Sequence, residues 1–225
     1  DLRGICHLFP WLPTVASRVI CLQGPGIGRL DHWSVGTYRG ELNVYAPGGH
    51  CWRDAGRSSA LQLAMDFSRQ METLPKAGVP RTLYNPSRLN AGDAWNTLAS
   101  KATLQFELRS DSEDELQRLI IEAQNAAQKL CRGHAGCLAK LGQMGFRHAT
   151  GLYPDHALVT GIREAQSWAG LASKLGASSS DASVCLFYGV AAATIGLCNA
   201  VGIETQMETL YLDSLPSGLR QAYAA

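Results

Sequence analysis

Pro47-Gly48-Gly49-His50-Cys51-Trp52 places an imidazole directly after two permissive glycines, at the end of an extended segment, facing whatever lies beyond it. Alone, such a histidine is more often a surface or capping group than a functional one. Cys131-Arg132-Gly133-His134-Ala135-Gly136-Cys137 packs three metal-binding side chains into seven residues. A structural zinc needs four ligands and no second pair stands nearby, so a helix–strand turn is the plainer reading. Gly24-Pro25-Gly26-Ile27-Gly28 has the glycines of a phosphate-cradling loop. That chemistry requires a following helix to aim its N–H groups, and a strand pattern follows instead, so this is a turn. Ser178-Ser179-Ser180 before Asp181 lacks the Gly-x-Ser-x-Gly elbow that exposes a nucleophilic serine. It predicts a helix N-terminus, with Asp181 at the positive end of a helix running to Gly189.

The elements that must position these groups follow from hydrophobic periodicity. Val19 to Gln23 predicts a short buried strand, and Arg29 to Tyr45 an extended segment with Trp33, Val35, Leu42 and Val44 among polar neighbours. Ser58 to Leu74 predicts a helix carrying Leu61, Met65, Phe67, Met71 and Leu74, closed by Pro75 and Gly78. Thr82 to Leu89 and Ala102 to Leu108 predict strands, the second with Leu104, Phe106 and Leu108 on one face. Asn90 to Ser100 between them is rich in turn formers. Ser112 with Glu115 three residues on is a capping box, opening a helix with Leu116, Leu119, Ile120, Ala123 and Ala127 on one side. Cys137 to Met144 predicts a fourth strand. The order strand–helix–strand–strand–helix–strand over 30–148 is that of a ferredoxin-like split βαβ domain. The flanks, 1–29 and 149–225, contain a helix predicted over Asp155 to Leu175 and a buried strand over Ala191 to Leu197. Neither makes a complete core, so the chain reads as one domain inserted into an interrupted α/β domain.

Composition removes several function classes. With 46% hydrophobic and 17% charged residues over 225, the chain has the balance of a folded protein. Its net charge of +1, with no basic stripe interleaved with aromatics, argues against nucleic acid as a partner. The longest apolar run, Ala191 to Ile203, is broken by Gly196 and Asn199 and is too short to span a bilayer, which argues against a membrane partner. Seven scattered cysteines, an odd number, predict free thiols in a reducing compartment and hence a cytoplasmic protein. Asp1 in place of Met leaves open that the natural chain begins further upstream.

Several segments together resemble one family. Gly48-Gly49-His50-Cys51-Trp52 resembles the Gly-Gly-His-Ser-Trp motif of the zinc-dependent peptidases and amidohydrolases that include tripeptide aminopeptidase, acetylornithine deacetylase, succinyl-diaminopimelate desuccinylase and aminoacylase. Ala94-Trp95-Asn96-Thr97-Leu98 and Glu107-Leu108-Arg109-Ser110 are similar to that family's Asn-Thr-Ile and Asp-Leu-Arg-Ser pair. Ser179-Ser180-Asp181-Ala182-Ser183 looks like its Ser-Thr-Asp-Ala-Asn. Met144-Gly145-Phe146-Arg147 and Gly218-Leu219-Arg220-Gln221 fall in the expected places. The matches are collinear over nearly the whole chain.

The resemblance implies a zinc-binding α/β domain (1–29 and 149–225) interrupted by a lid and dimerisation domain (30–148), with homodimers formed through the lid. It implies two zinc ions in intact members and hydrolysis of a small peptide or N-acyl-amino-acid amide. His50 becomes a catalytic lid residue that holds substrate and oxyanion from the partner subunit, and Asn96 and Arg109 become substrate-binding residues. Asn96 and Arg109 stand 13 residues apart across a strand. That strand is on the order of 20 Å long, so one small carboxylate could meet both only if they come from different subunits. The resemblance also places the first histidine ligand, the bridging aspartate and the Glu-Glu pair upstream of Asp1, with Asp1-Leu2-Arg3-Gly4 following that pair. Gln23 stands where an acidic ligand is expected, and Glu204 where the last histidine is expected. Gln23 is thus a degenerate ligand position and Glu204 the remaining metal-ligand candidate. The chain is expected to be a fragment or degenerate hydrolase, inactive and without tightly bound zinc. The competing reading is a non-catalytic dimerisation and carboxylate-binding module; a serine hydrolase is more remote. Calorimetric titration with zinc should reveal no sub-micromolar site. Such a site, abolished by Glu204→Ala, would refute the expectation, and one lost on mutating Cys131, His134 and Cys137 would restore the zinc-turn reading.

Overall fold

The computed structural model describes residues 2–12, 16–75 and 78–225, so Asp1 lies outside the described residues. The chain forms two units: Asp1–Val35 with His148–Ala225, and Gly36–Arg147. A short helix, α1 (Arg3–Leu8), and two strands, β1 (Arg18–Pro25) and β2 (Arg29–Ser34), precede the first crossing between units. The extended segment expected over Arg29 to Tyr45 is therefore two strands, and the inserted unit begins at Gly36 rather than at residue 30. The break is enforced by hydrogen bonds that alternation in sequence does not reveal. Val35 N–H donates to Ser178 O at 3.0 Å, and Ser34 Oγ to His148 O at 3.0 Å.

The inserted unit runs β3 (Gly36–Tyr45), β4 (Gly49–His50), α2 (Ala60–Glu72), β5 (Thr82–Ala91), β6 (Thr97–Leu98), β7 (Lys101–Ser110), α3 (Glu113–Lys129) and β8 (Leu138–Arg147). Its main sheet has the order β5-β7-β3-β8, every neighbour antiparallel, which is the split βαβ arrangement. Strict alternation builds it: Leu104, Phe106 and Leu108 are buried, while Gln105, Glu107 and Arg109 turn to the opposite face. Both helices cover the apolar face. In α3 the Ser112 hydroxyl accepts from Glu115 N–H, and Leu116, Leu119, Ile120, Ala123 and Ala127 are buried as the periodicity requires. In α2 the buried stripe is Leu63, Phe67 and Met71 with Ala60 and Ala64. Met65, expected on that stripe, is exposed, because at 100° per residue it points nearly opposite Leu63.

The chain then returns to the first unit through β9 (Thr150–Gly151), α4 (Ala157–Trp168), β10 (Lys174–Ser178), α5 (Ala182–Phe187), β11 (Ala191–Val201), β12 (Thr209–Tyr211), a 3₁₀ turn over Leu212–Ser214 and α6 (Leu215–Ala224). The helix expected to Leu175 ends at Trp168. Gly170 then takes φ +74° and frees Lys174–Ser178 to pair in parallel with β2. The helix expected to run to Gly189 stops at Phe187, and Asp181 occupies its N-cap without a side-chain capping bond. The strand order is β1-β11-β2-β10, with β1 and β11 parallel. Alternate residues of β11 enter opposite cores: Ala193 and Ile195 pack with Leu158, Val159 and Ile162, and Ala192 with Ile5, Ala182, Cys185 and Leu186. Two buried glutamines tie one side together. Gln166 Nε2 donates to Gln221 Oε1 at 3.0 Å, and Gln221 Nε2 to Gly196 O at 2.6 Å.

The inserted core centres on Phe106, whose ring lies 5.5 Å from that of Phe67 and directly over Gly40, its cross-strand partner. Phe67→Ala should destabilise this unit by about 3–5 kcal/mol, as expected for an emptied aromatic site. Gly40→Ala should cost about 1–3 kcal/mol because its Cβ would enter the Phe106 ring. Ile121→Ala, at a largely exposed position, should stay within about 0.5 kcal/mol. Urea unfolding of each variant measures the ranking, and equal costs at all three positions would contradict this core.

Candidate functional site

His50 lies where β3 has run out and the chain doubles back. The two-residue strands β4 and β6 pair His50 with Thr97, and Cys51 N–H donates to Asn96 O at 2.9 Å. This brings together His50 and Asn96, 46 positions apart in sequence, with Asn96 Nδ2 3.4 Å from His50 Nε2. On the other side of the ring, Trp52 N–H donates to His50 Nδ1 at 3.2 Å. A backbone N–H can only donate, so Nδ1 accepts and the proton of the neutral imidazole sits on Nε2. The Asn96 side-chain amide stands beside that nitrogen. Nε2–H is therefore a donor at a half-buried position, suited to an acyl oxygen.

Asp54 is the residue that sequence reasoning missed. Its Oδ2 accepts from His50 N–H at 2.8 Å, while Asp54 N–H donates to His50 O at 2.8 Å, closing a five-residue turn. The i, i+4 spacing of His50 and Asp54 after a glycine pair was the available signal. The His50 N–H bond, then Arg53 at 3.1 Å and Arg57 at 3.2 Å, hold the Asp54 carboxyl below the ordinary aspartate range. Gly49 has φ +137°, and a Cβ there would stand 2.7 Å from Asp54 Oδ2, so only glycine admits this turn.

Arg109 is not part of this cluster. It pairs with Thr37 and Leu83 at one end of β7, whereas the His50 turn follows Tyr45, opposite Lys101 at the other end. Eight residue steps separate Lys101 from Arg109, on the order of 25 Å. Arg109 Nε donates to Glu107 Oε1, and Arg39 Nε donates to Glu107 Oε2 at 2.8 Å. Burial alone would raise the Glu107 carboxyl, but Arg109 and Arg39 more than offset it and hold it below the ordinary glutamate range. The helix-free face of the sheet continues this polar ladder: Gln105 donates to Glu41 at 2.9 Å and Thr103 to Asn43 at 2.9 Å.

The other two candidates belong to the discontinuous unit. Gln23 is half-buried near the carboxyl end of β1, opposite Gly196 of β11. Glu204 lies just past the carboxyl end of β11, exposed, with φ +61° and its N–H donating to Glu208 Oε2 at 2.7 Å. Both thus lie toward the carboxyl edge of one parallel strand pair, the edge at which open α/β sheets bind ligands. A neutral amide is a poor zinc donor, and no group of three or more His, Cys, Asp or Glu among the described residues could hold a metal ion. These residues do not fit a resident zinc. The turn at Cys131–Cys137 gathers no such group either, and His134 Nδ1 lies 2.7 Å from Ser58 Oγ. Nor is a thiol nucleophile evident among the shifted groups. Burial above all, with Cys185 and Asp181 adding to it, pushes the Cys21 thiol up to about 11, and Cys131 and Cys185 are also raised by burial.

Residues 36–135 match a family model described as the peptidase dimerisation domain. A search of curated proteins finds no match. Among solved structures, the chain is similar to the aminopeptidase PepT of Bacillus cereus, with TM-score 0.81 and 16% identity, covering 99% of this chain and 60% of that one. A tripeptidase from Staphylococcus aureus gives TM-score 0.78 and 16% identity over 92% of this chain and 55% of that one. An amidase of the hydantoinase/carbamoylase family from Burkholderia vietnamiensis gives 0.76 and 14% over 93% and 53%. The chain thus spans between 53% and 60% of the length of these three structures. Residues 36–135 thus match the peptidase dimerisation domain, within a chain that has the fold of these three structures.

Proposed function

We propose that this chain supplies the substrate-gripping lid of a hydrolase acting on peptide or N-acyl-amino-acid amides, and that by itself it binds such ligands without cleaving them. The observation that carries this reading is the His50–Asn96 pair, with Nδ1 engaged by Trp52 N–H, the His50 backbone N–H engaged by Asp54, and Nε2 beside the Asn96 amide. A donor so fixed suits the acyl oxygen of an amide, whose charge grows as the carbonyl is attacked. The match of 36–135 to a peptidase dimerisation domain supports peptide chemistry and a homodimer. Gln23, a neutral side chain, supports binding without cleavage. It also favours the second reading, a non-catalytic dimerisation and carboxylate-binding module. The separation of Arg109 from His50 supports a site shared between subunits, with His50 and Asn96 reaching across the dimer and Arg109 acting within its own chain. There Arg109 would exchange Glu107 for a ligand carboxylate, which its guanidinium can grip bidentately. The cysteines are all free, and no helix of the described residues is long and apolar enough to cross a membrane; the free thiols fit the cytoplasm.

Light scattering should report a dimer, and N-acetylglycine should bind it, followed by the amide signals of residues 47–58. His50→Ala and Arg109→Ala should each lose that binding, and mixing the two variants should recover it in a share of heterodimers. Absence of recovery despite proven subunit exchange would overturn the shared site. Hydrolysis of N-acetyl-amino acids or tripeptides by the chain with added zinc, abolished by Glu204→Ala, would overturn the claim that it does not cleave.

The His50 turn should also be acid-sensitive. Because the folded Asp54 carboxyl lies below its unfolded value, its stabilisation of the turn is complete above the ordinary aspartate range and is lost as pH falls through the lowered value. The His50 backbone amide signal should shift across that acidic window, and Asp54→Ala should remove the step. An identical step in Asp54→Ala would assign the titration to another group.

A further inference from the structure

Two tryptophans flank the His50–Asn96 pair and face solvent. Trp95 immediately precedes Asn96 and is fully exposed at 105%, and Trp52 follows His50 by two positions at 87%. Each stands one residue beyond the Cys51–Asn96 backbone hydrogen bond, on the same side of it, where the two chain segments leave the β4–β6 pair. Full exposure of two indoles beside a hydrogen-bonding pair is unusual, because each ring can bury on the order of 150–250 Å².

The segment that carries Trp52 is built, not loose. At its start, a Cβ on Gly136 would stand 2.9 Å from Pro47 Cγ, so the 131–137 turn packs against Pro47. At its end, His134 Nδ1 lies 2.7 Å from Ser58 Oγ. The same turn thus braces both ends of 47–58. On the Asn96 side, Ala46 N–H donates to Ser100 O at 2.9 Å and Ala60 N–H to Ala99 O at 2.8 Å, fixing the strand that leaves the Trp95 turn. The indoles are therefore exposed on a preorganised support, which is how recognition residues are held.

We propose that Trp52 and Trp95 are specificity-determining residues that take an aromatic or large apolar side chain of the amide ligand, while His50 and Asn96 meet its acyl group. This rests on the ligand-binding role assigned to His50 and Asn96 above. The chemistry selects that ligand class: an indole face gains by stacking on a ring or covering an alkyl chain, and the adjacent Nε2–H supplies the polar contact such a ligand still needs. Glycyl ligands reach only the polar pair.

The test uses the full chain and the indole N–H signals of its five tryptophans, with those of Trp52 and Trp95 assigned from Trp52→Phe and Trp95→Phe. N-acetyl-L-phenylalanine and N-acetylglycine are titrated separately. The phenylalanine compound should shift the Trp52 and Trp95 signals and bind about tenfold more tightly than the glycine compound. Trp95→Ala should bring the two affinities within about twofold of each other, and Trp95→Phe should restore part of the difference; unmoved backbone amide signals of Leu104, Phe106 and Leu108 in the core of the same unit show that the variants are folded. Equal affinities for the two compounds in the unaltered chain, or shifts at His50 and Asn96 without any at the indoles, would overturn the proposal and leave ligand binding intact. No shift anywhere with either compound would overturn both.

Discussion

The ring of Phe106 lies over the bare backbone of Gly40, and most of the inserted unit is arranged around that contact. Tyr38 and Tyr84 approach the same ring from β3 and β5, at centroid distances of 6.2 and 5.7 Å, and Phe67 reaches it from α2 at 5.5 Å. A side chain on Gly40 would hold the ring off the sheet and part α2 from it. With the ring seated, β3 and β7 stay in register along their full lengths, from Gly36 opposite Ser110 to Tyr45 opposite Lys101. The tip that carries His50 hangs from the Tyr45 end of this pair, so its placement inherits the rigidity of the core.

From that end outward, polar contacts replace apolar packing. This tip contains two tiny strands and little core of its own, and its shape depends on the Asp54 carboxylate, two left-handed glycines and the bracing turn at 131–137. Such an arrangement holds a few donors at fixed positions while leaving the surrounding surface open to a ligand. Arg109, at the opposite end of the sheet, is already satisfied by Glu107, which Arg39 also grips. A guanidinium in that setting can exchange one carboxylate for another without being stranded as a buried charge.

The discontinuous unit solves a different problem. Its sheet is interrupted by a whole domain, yet β1 and β2 must still be held on either side of β11, which arrives late in the chain. The buried amides of Gln166 and Gln221 bridge α4, α6 and the backbone of Gly196, so the returning segment docks in one register. At Gly218 the helix approaches the Leu197 carbonyl so closely that no side chain would fit. This packing brings the neighbourhoods of Gln23 and Glu204 to the same edge of the sheet, although neither residue is a strong metal donor.

Local periodicity was enough to mark the inserted unit's two helices and the middles of its four long strands, but not the short strands β4 and β6. Leu104, Phe106 and Leu108 declare a strand by alternation, and Ser112 with Glu115 declares the start of a helix; both depend only on neighbours in the chain. His50 became a candidate only through the resemblance carried by Gly48-Gly49-His50-Cys51-Trp52. Tertiary structure alone decided where the segment from Arg29 to Tyr45 breaks, because the hydrogen bond from Val35 goes to Ser178, far along the chain. It also turned Lys174–Ser178 from expected helix into a strand, through pairing with β2. It joined His50 to Asn96 while leaving Arg109 at the far end of β7. The division has a physical cause: side-chain direction within one helix or strand repeats every few residues and is written in adjacent positions. Which backbone groups satisfy one another across the fold depends on partners that come together only when the chain packs.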